Sequence, residues 1–401
     1  MPLLSEPIDP AALSAFVDLL GAQPWRDRIS ILQRGACAAT HEGRAILQRH
    51  CIELAVERLR RGKPNRPPSI AETRIATLAA RGARLADQLS QAARSRLCAM
   101  LGQALTPDGT LIPAFHLLRT AALQHSRGFA VGYAGLEDDA PFDLLIGRDG
   151  AEAEVVCDIV SAEDGRGVQR GAWFRLVDQV DPELQAWLAA HPGRYLLKMT
   201  LPGGLKDGRD GEALASLHQR ITQMLSDQRR TDHGEAAVLR LDPLLLAGAQ
   251  ADELGLMSRL RREFGPEAHL SVTVAGGSVF VMAARAGHEN QVAAAVRRRL
   301  AAVAPARLTG ARPGILAMFI EDTDRTEWRL LREQMELEGE ARQFMTTPEA
   351  RPVVAVTCAS RLELFGLPQP DAAPEGELRF RNPAHPAARA PELAPAILSS
   401  L

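Results

Sequence analysis

The chain has 401 residues, 46% of them hydrophobic and 4% aromatic, with a formal net charge of −2. That length predicts two or three domains with a sizeable core. The near-neutral charge excludes a surface that coats nucleic acid throughout, and the scarcity of aromatics argues against a stacking platform for single strands. The opening MPLLSEPIDP has no basic or apolar leader character, and no apolar run is long enough to span a bilayer. A cytoplasmic chain without a membrane segment is expected. Cys37, Cys51, Cys98, Cys157 and Cys358 form no CxxC pair, which predicts reduced thiols rather than a zinc site or disulfide framework.

Residues 1–125 read as a helical region. Apolar spacing and punctuation predict helices over 10–20, ending at Gly21, and over 40–62, from Thr40 to Gly62. KPNRPPS (63–69) is a break, and helices resume over 70–105 and 113–125. Residues 126–310 alternate strands (129–134, 142–147, 153–160, 194–200, 236–241, 270–284) with helices (168–180, 182–190, 211–227, 251–264, 288–303). The segment LSVTVAGGSVFVMAA reads as a hairpin turning at Gly276-Gly277. Residues 311–367 form a strand, a long charged helix over 324–344 and a strand over 352–358; residues 368–401 read as a Pro/Ala-rich extended tail. The fold class is α/β: a helical N-terminal region followed by a mixed β-sheet core with flanking helices.

Between Arg44 and Arg96 twelve cations accompany only four acids. Arg58, Arg60, Arg61 and Lys63 in this stretch would place phosphates of a nucleic acid. An arginine-rich solvated face, or one paired with the acidic segment 321–340, accounts for the same asymmetry. After the third strand of the core, Ser161–Gly167 carries two acids and two glycines before a helix. Its glycine amides would meet an anion, or its acids would sit at the helix N-terminus. Arg166 and Arg170 fall on one face with Trp173 and suit a phosphate backbone, with Trp173 partly core in the alternative. The ten histidines have no metal-ligand spacing, and no Walker loop, GxSxG or GxGxxG occurs.

The stretch 125–200 runs helix, strand, strand, strand, helix, strand. Pro141-Phe142-Asp143 begins the second strand, and Ala153-Glu154-Val155-Val156-Cys157-Asp158 forms the third. This order resembles the core of the PD-(D/E)XK, restriction-endonuclease-like superfamily. The longer crossover before 194–200 suits a parallel return of that strand beside the third; the resemblance implies a magnesium-dependent nuclease with Asp143 as one metal ligand. It puts the second acid at Val156 and the lysine at Asp158, where this chain departs from the motif. Glu154, Val156 and Asp158 share one strand face, so a displaced site would use Asp143, Glu154 and Asp158 as carboxylates for magnesium and Lys198 as the lysine. In the plainer reading Asp143 caps a turn, Glu154 is a solvated strand-end residue and Asp158 is hydrogen-bonded or paired with an arginine. Two functions stay open: binding or cutting nucleic acid, and a catalytically inactive scaffold that binds a protein partner or itself.

Overall fold

The computed structural model describes residues 8–36, 40–62, 66–206, 211–244, 253–265 and 267–400. Lys63 and Cys37 lie outside them. The described residues of Met1–Ala36, Ile46–Asp164 and Ala293–Leu401 form one unit; those of Cys37–Ala45 and Gly165–Val292 form another.

The chain begins with α1 (Pro10–Leu20), whose first turn is capped by Asp9 accepting from the Ala11 amide at 2.8 Å, and α2 (Ala22–Ala36). The helix expected over 40–62 is two, α3 (His41–Arg49) and α4 (Cys51–Arg60), parted at His50. Likewise 70–105 divides into α5 (Ile70–Gln88) and α6 (Gln91–Gln103). Leu89 is extended and the Ser90 hydroxyl accepts from the Ala93 amide, so a local cap ends a register that the apolar spacing alone would continue. α7 (Ile112–Ser126) follows. Leu13, Phe16, Val56, Ala79, Leu97 and Phe115 are buried together, with Phe16 and Phe115 meeting edge to face at 5.8 Å.

β1 (Ala130–Gly132), α8 (Ala134–Glu137), β2 (Leu144–Arg148) and β3 (Ala151–Ser161) come next. β1, β2 and β3 pair antiparallel in turn, and the β2–β3 turn uses Asp149 and Gly150, both at positive φ (50° and 86°).

The second unit then supplies α9 (Arg170–Ala190), β4 (Arg194–Leu201), α10 (Glu212–Ser226), β5 (Thr231–His233), β6 (Val238–Pro243), α11 (Glu253–Phe264), β7 (His269–Ala275) and β8 (Ser278–Ala286). Its five-stranded sheet has the order β5-β6-β4-β8-β7, parallel only between β4 and β8. The two helices expected either side of Pro182 are one, because Val177, Val180, Leu184 and Leu188 form a continuous buried stripe that outweighs the backbone hydrogen bond lost at proline. The Gly276-Gly277 turn is as expected, with φ of 53° and 85°.

The chain returns through α12 (Val292–Arg307) to β9 (Gly314–Glu321). α13 (Arg325–Glu333) and α14 (Glu336–Met345) replace the single long helix expected over 324–344, with Met335 at φ 56° between them. Then come β10 (Val353–Ser360), α15 (Arg361–Leu364), β11 (Leu378–Arg381) and α16 (Ala394–Ile397). The six-stranded sheet reads β1-β2-β3-β9-β10-β11, with β3, β9 and β10 mutually parallel. β10 is buried along its whole length and β9 up to Glu321, as a strand covered on both faces must be.

Three expectations are corrected. The strand beside β3 is β9, not 194–200: β4 is apolar enough to be central in either sheet, and periodicity cannot choose its neighbours. Residues 126–310 are not one domain, since 126–164 and 293–310 belong with the N-terminal helices. The final 34 residues are not an extended tail: β11 joins the sheet, and Leu393, Ala396 and Ile397 are buried against Leu144, Ile146 and Ile315.

Glu363 links three segments of the first unit. Its buried carboxylate accepts from the Trp328 indole (2.9 Å), the Ser360 amide and hydroxyl (both 2.7 Å) and the Ala373 amide (2.5 Å). Glu363→Ala would strand four buried donors. We expect a loss of about 3–5 kcal/mol in denaturant unfolding, against less than half of that for Glu363→Gln.

Candidate functional site

β3 sends alternate side chains to opposite faces. Ala153, Val155 and Cys157 pack with Ile315, Ala317 and Leu117; Glu154, Val156 and Asp158 share the other face. On that face each acid is taken by α12 or the turn after it. Asp158 makes a two-pronged pair with Arg299, one oxygen 2.9 Å from Nη2. Asp143 accepts from Arg307 Nη2 at 2.8 Å and, through its other oxygen, from the Cys157 amide at 2.7 Å. Arg307 also donates to the carbonyls of Pro141 and Cys157, so one guanidinium fastens the start of β2 to β3. Glu154 is fully buried, not solvated; it accepts from the Thr309 amide at 2.9 Å and from the Thr309 hydroxyl.

Burial pushes the Asp143 carboxyl up, against the opposing pull of Arg307. Burial also holds the neighbouring Cys157 thiol well above its ordinary value, so it is no nucleophile. The oxygens a magnesium ion would need are thus committed: Asp143 to Arg307 and a backbone amide, Asp158 to Arg299, Glu154 to Thr309. Val156, at the motif's acid position, is fully buried and offers no oxygen. Among the described residues no group of three His, Cys, Asp or Glu side chains can hold a metal. This donor set does not fit the expected magnesium.

Lys198 belongs to β4 in the second unit, where it pairs with Asp242 at 3.5 Å and lies over the Phe264 ring. The structure brings Asp143, Glu154 and Asp158 into one clamp, and Lys198 into another sheet.

The basic helices pair within themselves. Arg60 and Arg61 both hold the buried Glu57 (3.0 and 2.8 Å), and Arg58 and Arg66 both hold Glu72. These partners are near in sequence, not the acidic 321–340 segment. Glu72 is drawn down to about 2, its hydrogen bonds and arginines overcoming the opposing effect of burial. Arg166 precedes α9 and is buried, as is Trp173, so the expected outward phosphate face does not form. The Gly167 amide donates to Asn290 at 3.2 Å, and a Cβ at Gly165 or Gly167 would clash with Val292 or Ala286; these glycines serve close packing.

A group that sequence reasoning missed lies where the parallel strands end. Ser161 and Glu321 are register partners at the carboxyl ends of β3 and β9. The Ser161 hydroxyl donates to Asp322 at 2.6 Å, and Thr110 donates to Glu321 at 3.3 Å. Asp322 stands at φ 60°. Carboxyl ends of parallel strands are where open α/β sheets present polar groups. The Glu321-Asp322 pair closing an apolar run was the available signal, but the β3–β9 pairing that gives it meaning spans about 150 residues of chain.

No family model, curated protein or solved structure matches this chain.

Burial, then Asp322, raise Glu321 from 4.5 to about 7. The folded state therefore holds this proton when the unfolded chain has lost it. Stability from Glu321 is undiminished below pH 4.5, falls as pH rises from 4.5 to 7, and stays reduced above. Glu321→Gln should match the wild type at pH 4 and exceed it by roughly 2–3 kcal/mol at pH 8. His116 and His269, held by burial at about 4 and 3, titrate the opposite way and cancel in the difference. In a second test, Asp158→Leu should leave folding within about 1 kcal/mol of wild type, because its arginine is half exposed. Glu154→Leu should cost about 2–4 kcal/mol by orphaning the Thr309 donors.

Proposed function

We propose that this chain is a non-cleaving protein on a restriction-endonuclease-like core, acting as a scaffold that binds a partner. The observation that carries the reading is the α12 clamp: the cations that reach Asp143 and Asp158 are Arg307 and Arg299, fixed parts of the chain itself. A nuclease of this kind needs carboxylate oxygens open to a metal and a lysine beside them; here the oxygens are taken and Asp158 stands at the lysine's position. The core likeness draws support from the order α7, β1, α8, β2, β3, α12, β9 in the first unit, with an antiparallel meander and a parallel return beside the third strand. It differs from the order read over 125–200, whose last helix and strand, α9 and β4, belong to the second unit.

A scaffold is favoured over a nucleic-acid binder because Arg58, Arg60 and Arg61, three of the residues expected to meet phosphates, are held by Glu72 and Glu57. Labelled single- and double-stranded DNA and RNA, incubated with magnesium or manganese, should remain intact with wild type and Asp143→Ala alike. Metal-dependent cutting that disappears in the variant would sink the proposal. Binding to the same nucleic acids should be weak at low salt. A log–log salt slope steeper than about −4 would instead return the basic helices to a phosphate-binding role.

A further inference from the structure

Residues 375–377 of the first unit are each met by a different arginine. Arg379 Nη2 pairs with Glu375, Arg119 Nη2 donates to the Gly376 carbonyl, and Arg127 Nη1 pairs with Glu377 at 2.6 Å. Arg119 comes from α7, Arg127 is the residue that caps its C-terminus, and Arg379 comes from β11. Glu377, Arg119 and Arg379 are buried, and the Arg127 side chain is only 10% exposed.

Each guanidinium keeps one buried nitrogen with no partner among the described residues: Arg119 Nη1, Arg127 Nη2 and Arg379 Nη1. An unmet N–H on a buried cation costs more than an unmet neutral donor. Charge is unbalanced in the same sense. Three guanidiniums face the carboxylates of Glu375 and Glu377, and Arg119 touches a carbonyl rather than a carboxylate. The next charges within reach of Arg119, Glu363 and Arg74, are one of each sign. Burial lowers the Arg119 pKa, but a guanidinium stays protonated in proteins, so its positive charge remains to be met.

We propose that Arg119, Arg127 and Arg379 bind one small oxyanion, a phosphate or a carboxylate, beside the 375–377 turn. Planar guanidiniums with paired N–H groups suit such oxygens better than they suit water. The bound anion would complete the charge balance and tie α7 to β11. This site is separate from the α12 clamp and does not depend on the scaffold reading.

The test uses the full chain, dialysed into a zwitterionic buffer and titrated at fixed ionic strength with inorganic phosphate and, separately, acetate. Calorimetry should find one equivalent bound per chain, and Tm should rise saturably, by about 3 °C at hundredfold excess over Kd. The tighter of the two anions identifies which oxyanion the site prefers. Arg119→Met should abolish the response. Should that variant not fold, Glu377→Gln decides: it keeps all three arginines, removes a competing negative charge and should tighten binding about fivefold or more. A Tm that follows ionic strength without saturating, or a Glu377→Gln variant that binds more weakly, would overturn the proposal.

Discussion

The first unit depends on the attachment of α12 to the β2–β3 hairpin. The chain leaves this unit after β3 and must find the same sheet again about 130 residues later. Arg299, Arg307 and Thr309 make that return specific, since each meets one acid, Asp158, Asp143 or Glu154. Apolar burial draws β9 into the sheet but does not choose its neighbour or register; directional pairs between committed charges do. The same acids that would have made a metal site are the ones that fix the topology. Structure and metal chemistry compete here for the same few oxygens.

The unit uses buried glutamates repeatedly in this way. Glu53 accepts from the Leu111 amide, Glu57 from the Trp25 indole and two arginines, and Glu363 from four donors. Each joins segments distant in sequence. With few aromatics, the core is built from Leu, Ala and Val, which fill space but specify little; the buried carboxylates supply direction. Around residues 375–377 the relation is reversed, with buried cations in excess of buried acids, and there the unit has recognition chemistry left over.

Local elements were legible in the sequence where one rule acted alone. The Gly276-Gly277 turn, the strands 153–160 and 352–358, and α7 lie where turn chemistry and apolar runs put them. Element ends went wrong where two rules competed. Ser90 capped a helix that apolar spacing would have extended, and a buried stripe carried α9 through Pro182. In the candidate site, the pairing of Asp158 with an arginine was readable as a type of contact, but its identity as Arg299 was not. Glu154 was misread because its burial comes from a turn 155 positions away.

By itself, then, the sequence determined an α/β chain with a helical start, its tight turns and the shared face of Glu154, Val156 and Asp158, because these follow from backbone preference and periods of two and 3.6. Tertiary structure alone decided that β9 and not β4 stands beside β3, that the final residues complete the core, and that Arg58, Arg60, Arg61 and Arg66 meet Glu72 and Glu57. Those outcomes rest on partners brought together across long loops. Many pairings bury equal apolar area, and only the simultaneous satisfaction of specific charges and donors distinguishes one.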